Sequence, residues 1–160
     1  MNLHTQLWQD FIDLCQSLTL EQYTAKCTTL NGVSIAEHLR HSYEFYHCLL
    51  IGLKTNHLNY EERLRDRNIE NNLDYALVQM NKIKNQLAKA RKDQQMQLHS
   101  KEANPPLVNT SFQRELVYCL DHVIHHQALI KIGLHEQALS HLVHEDFGVA
   151  YSTLRYRKQH

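Results

Sequence analysis

The chain has 160 residues, with 17 Lys plus Arg against 17 Asp plus Glu, so it carries no net charge when histidine is neutral. That length suits one domain with a real core, and the balanced charge argues against a nucleic-acid partner, which normally demands a basic face. No apolar run approaches the roughly 20 residues of a membrane span, which leaves thirteen histidines as the one compositional oddity.

The N-terminal stretch MNLHTQLWQDFIDLC contains acids and no basic leader, so it does not read as a signal peptide. Cys15, Cys27, Cys48 and Cys119 form no CxxC pair and fit free thiols in a reducing cytoplasm. Glycine and proline are scarce and no alternating apolar pattern stands out, which predicts an all-α domain.

In chain order, Leu3, Leu7, Phe11, Leu14 and Leu18 share one helical face and predict a first helix over about 3–18. Thr19 and Gln22 can form a capping box for a short piece, LEQYTAK, before the loop TTLNG. Ser34 and Glu37 form a second capping box, opening a helix with Ile35, Leu39, Tyr46, Leu49, Leu50 and Leu53 on one side, ending near Gly52–Lys54. Residues 55–68 are polar and charged and read as a long connection, helical in part. Ile69, Leu73, Leu77, Met80, Ile83 and Leu87 mark a third helix running to about residue 98, its polar end AKARKDQQMQ protruding. KEANPPLVN is a loop. The fourth helix starts near Thr110 or Ser111, carries Phe112, Leu116, Leu120, Val123 and Ile130, and stops at Gly133 as its cap. A short helix, EQALSHLVHEDF, precedes the tail GVAYSTLRYRKQH, whose Arg155-Tyr156-Arg157-Lys158 reads as solvated. The expectation is a single domain over 1–160, a four-helix bundle with its core in about 1–147 and a tail in 148–160. The long connection between helices two and three would allow those two to run parallel.

The histidines concentrate in the fourth helix, in DHVIHHQALIKIGL. At about 100° per residue, His122 and His126 lie one turn apart on one face, flanking the Leu116–Leu120–Val123 stripe, while His125 points outward. On the second helix His41 takes the corresponding flank, and His38 lies nearer the stripe. Two imidazoles at i and i+4 plus a third from a facing helix suit a divalent ion such as Zn²⁺, Ni²⁺ or Fe²⁺, and three protein ligands leave positions for water or substrate. The plain alternative is a pair of hydrogen-bonded histidines at the edge of a core. No HExxH, paired ExxH, GxSxG or glycine-rich phosphate loop is present.

SIAEHLRHSYEF followed far downstream by HVIHHQALI resembles the DinB/YfiT-like superfamily, over about residues 1–147, and FGVAYST is similar to the tail of its uncharacterised members. The resemblance implies a bundle of up-down-down-up connectivity and a metal held by His41, His122 and His126. It departs from the pattern at Gln127-Ala128-Leu129, where Arg-Gly-Gln is usual, and His38 competes with His41 as the ligand from helix two. It further implies a cytoplasmic homodimer acting on a small molecule, with Zn²⁺ or Ni²⁺, or else Fe²⁺, lowering the pKa of a bound species. If that species is a low-molecular-weight thiol, the protein is a bacillithiol-type S-transferase; if water, a metal-dependent hydrolase; a metal-stabilised scaffold is the non-enzymatic alternative. Glu115, two turns before His122, is the candidate to orient a ligand or act as a base, and Tyr118, one turn before, to donate to a substrate. Glu37 lies one turn from His41 and is a candidate contact for it. Ligand imidazoles must be neutral, so an exposed site should lose metal below about pH 6.

Overall fold

The computed structural model describes residues 3–90 and 93–159. The chain is mostly helical, 66%, with seven helices among the described residues, but two small sheets depart from the all-α expectation. No helix among the described residues is long and apolar enough to cross a membrane.

α1 (Leu3–Ser17) buries Leu7, Phe11 and Leu14 as its spacing predicts, together with Trp8 and Cys15. The Thr19–Gln22 capping box forms and starts α2 (Leu20–Thr24), whose Tyr23 hydroxyl donates to the Ile69 carbonyl at 2.7 Å. β1 (Lys26–Cys27) and β2 (Val33–Ser34) pair antiparallel across a turn closed by Asn31 and Gly32, both at positive φ. The Ser34–Glu37 capping box then opens α3 (Ile35–Thr55), which ends on Asn56 in the left-handed region.

The polar connection is built rather than loose. It contains β3 (His57–Leu58) and α4 (Arg67–Asn71). Asn72 ends α4 and, accepting from the Tyr75 amide, caps α5 (Leu73–Lys89), so the single third helix expected from Ile69 onward is two. Nor does it reach residue 98. β4 (Gln95–His99) lies between β3, which it meets in parallel, and β5 (Leu107–Ser111), which it meets antiparallel. QMQLH alternates polar and apolar, burying Met96 and half-burying Leu98, and that period of two suits a strand rather than a helix.

α6 (Phe112–Glu136) runs past Gly133, which is a packing position and not a cap. A Cβ there would lie 2.9 Å from Leu30 Cδ1, so the missing side chain lets the 28–30 turn rest on the helix. The Glu136 carboxylate fixes that contact by accepting from the Thr28 and Thr29 amides, both at 2.8 Å. EQALSHLVHEDF yields only a 3₁₀ turn at Ser140–Leu142, and the regular helix lies in the tail as α7 (Tyr151–Gln159). α1 packs on α5 and α3 on α6. Trp8, Phe11, Tyr46 and Phe147 meet edge to face at the centre, with ring centroids 5.4–6.1 Å apart.

Candidate metal centre

α3 and α6 lie side by side, and His41 meets His122 and His126 across their interface. One nitrogen from each ring lies within 4.8 Å of the others. Ring centroids are 5.2 Å apart for His41 and His122, 4.6 Å for His41 and His126, and 4.7 Å for His122 and His126. His122 Nε2 and His41 Nε2 are 3.1 Å apart. Two nitrogens each about 2.05 Å from one ion are about 2.9 Å apart at a right angle and about 3.3 Å apart at the tetrahedral angle. The observed edge falls between these, so that pair matches the spacing around a divalent ion, and His126 lies close enough to complete the group.

Burial sets the charge state. It pushes His41 and His122 down to about 4 and His126 down to about 3, and nearby cationic groups, Arg63 and the other histidines, push the same way. The rings therefore stay neutral, as ligands must, well below the pH expected for exposed imidazoles. The acid limit anticipated near pH 6 moves toward pH 4.

His38 lies outside the group formed by His41, His122 and His126. Its Nδ1 lies 3.0 Å from His126 Nδ1 and orients that ring from behind. His125 is exposed. Glu37 does not face His41; its Oε2 accepts from the Ser34 amide and hydroxyl and pairs with Lys26. Glu115 is fully buried. Its carboxylate accepts from Thr110 Oγ1 at 2.6 Å, Tyr60 Oη at 3.0 Å and Arg114 Nη1 at 3.0 Å, with no bond to the triad. Tyr118 is partly exposed, its ring stacked 6.0 Å from His122 and its hydroxyl pKa raised by burial.

Three further residues at the site were not singled out from the sequence. Phe45 stacks on His122 at 4.0 Å; it sits one turn after His41, so helical spacing alone would have found it. Arg63, from the polar connection, donates to His41 Nδ1 at 3.2 Å. Tyr60, from the same segment, stacks on Phe45 at 5.0 Å. Phe45, Tyr60, Arg63, Arg114, Glu115 and Tyr118 help wall a cavity of about 370 Å³. Phe45 and Arg63 border both this cavity and the rings, and no histidine of the triad lines it, so it adjoins the triad rather than containing it.

Three of the chain's thiols, Cys15, Cys48 and Cys119, are poor nucleophiles. Burial pushes the Cys119 thiol, one helical turn before His122, up to about 12, and raises Cys15 and Cys48 as well. No protein-family model matches the chain, and no curated protein or solved structure does either.

Proposed function

We propose that this is a divalent-metal-binding protein of the DinB-like type, a four-helix bundle of up-down-down-up connectivity that catalyses S-transfer from a low-molecular-weight thiol. The observation that carries the reading is the convergence of His41, His122 and His126 from two packed helices beside a cavity large enough for a small molecule. A tightly filled neighbourhood would have favoured a scaffold.

His41, His122 and His126 would hold the ion, with Zn²⁺ or Ni²⁺ suiting three neutral imidazoles and Fe²⁺ next. A bound divalent ion supplies positive charge that lets a thiol or water ionise near neutral pH. Three neutral ligands leave that charge undiminished, whereas a carboxylate ligand would offset part of it. His38 holds the His126 ring in one orientation. Phe45 packs on the face of His122 and shields it from water. Because burial raises Cys119 and Cys48, the nucleophile comes from outside the chain, which favours an added thiol over a cysteine mechanism. Tyr118, on the cavity wall, is placed to donate to a substrate. Glu115, which already accepts from three donors and bonds none of the three histidines, is given a structural role rather than that of a base.

The test is transfer of a small thiol to a chloronitrobenzene acceptor by zinc- or nickel-loaded protein, with ester hydrolysis measured alongside. Thiol transfer that disappears in a His122→Ala/His126→Ala variant supports the reading. Ester hydrolysis alone would shift it to a hydrolase, and neither activity on a loaded protein would leave a metal-stabilised scaffold.

A further inference from the structure

Arg63 is held on three sides. Its Nη1 donates to the Tyr60 carbonyl at 2.9 Å, its Nε lies 3.4 Å from the buried Glu44 carboxylate, and its Cζ sits 5.1 Å over the Phe45 ring. Glu44 is itself fixed by Arg40 at 3.1 Å, and Arg40 by Glu70 at 2.8 Å, so the guanidinium ends a chain of charges. Its fourth contact is the bond from Nη2 to His41 Nδ1 at 3.2 Å.

That contact decides which nitrogen of His41 bears hydrogen. A guanidinium has donors and no acceptor, so His41 Nδ1 must present its lone pair, and the hydrogen of the neutral ring sits on Nε2. His41 Nε2 faces His122 Nε2 at 3.1 Å and donates to it, which places the His122 hydrogen on Nδ1. The result is a one-way relay, Arg63 to His41 to His122. His126 differs, because its Nδ1 faces another imidazole, His38, which can accept and so leave His126 Nε2 bare.

A ligating histidine normally donates its second nitrogen to a carboxylate, carbonyl or water. His126 has an acceptor in the His38 imidazole, whereas His41 has a cation. We propose that Arg63 is a latch on the metal centre: it pins His41 in the tautomer whose Nε2 cannot ligate, and an ion enters through that nitrogen only when the Arg63–His41 bond breaks. Loading then moves the His41 hydrogen from Nε2 to Nδ1 with no net proton released, and turns the guanidinium away. The latch rests on the reading of the triad as a metal site and adds a residue that opposes loading.

The experiment is zinc titration by calorimetry on the metal-free protein and on Arg63→Gln and Arg63→Lys. The glutamine carbonyl can accept from His41 Nδ1–H, so Arg63→Gln should bind zinc at least about tenfold more tightly than wild type. Lysine keeps a donor-only cation, so Arg63→Lys should stay close to wild type. Equal or weaker binding by Arg63→Gln would overturn the latch and leave Arg63 a structural support. Nitrogen NMR on metal-free wild type, with His41 assigned by substitution, needs no altered Arg63. It should find the hydrogen on Nε2, and finding it on Nδ1 overturns the latch even if zinc binds well. Wild type that fails to bind zinc while Arg63→Gln binds would support the latch; failure of both would overturn it together with the metal reading.

Discussion

His38 and Glu115 are both polar groups beside the triad, yet their partners give them opposite roles. His38 touches His126, a proposed ligand, so His38→Ala should loosen that ring and weaken zinc binding about 10- to 100-fold in a calorimetric titration while the fold persists. Glu115 touches no ligand and neutralises donors of its own neighbourhood. Glu115→Ala should lower the unfolding free energy by about 2–4 kcal/mol in a urea melt, because Thr110 and Tyr60 lose a buried acceptor. Metal stoichiometry at low denaturant should be unchanged, and its loss would show that Glu115 supports the centre directly. The histidines at i and i+4 were legible in the sequence because helical spacing fixes their face. Arg63 was not, because its place depends on the path of the 55–68 connection, and Glu115 was not, because its donors Thr110 and Tyr60 come from β5 and from that same connection.

The two elements opened by a full capping box were read correctly; elements stabilised by distant partners were not. The Thr19 and Ser34 boxes are local hydrogen bonds, so α2 and α3 start where their residues say. The β4 strand is held by pairing with β3 and β5, partners far along the chain, and its polar residues resemble the end of a solvated helix. Gly133 looked like a stop because glycine favours helix ends, but packing on the 28–30 turn explains it better. Gly148 performs a similar service at the other end of the cluster. At φ 74° it lies against α6, and an added Cβ would come within 2.5 Å of the Ala128 nitrogen and 2.7 Å of its Cα. Backbone cannot give way as a side chain can, so Gly148→Ala should cost about 2 kcal/mol or more and unseat Phe147 from the core. A denaturation midpoint equal to wild type would contradict that packing.

The whole molecule should report the buried histidines through its pH dependence. In the unfolded chain they take protons near the ordinary imidazole value of about 6.5. In the folded, metal-free protein His41 and His122 wait until about pH 4 and His126 until about 3. Between those limits the unfolded state binds more protons, so stability falls as pH falls from about 6.5 toward 4, and is unaffected by these groups above that range. Thermal melts of metal-free protein at pH 7.5, 6 and 4.5 should therefore give a descending series, and His122→Ala/His126→Ala should flatten it. The measurement that bears most directly on the account is the metal content of tag-free protein, by plasma mass spectrometry after exposure to Zn²⁺, Ni²⁺ and Fe²⁺. About one ion per chain in wild type, and none in His122→Ala/His126→Ala, is the predicted result. A wild type that takes up no ion, or a double variant that keeps one, would contradict it.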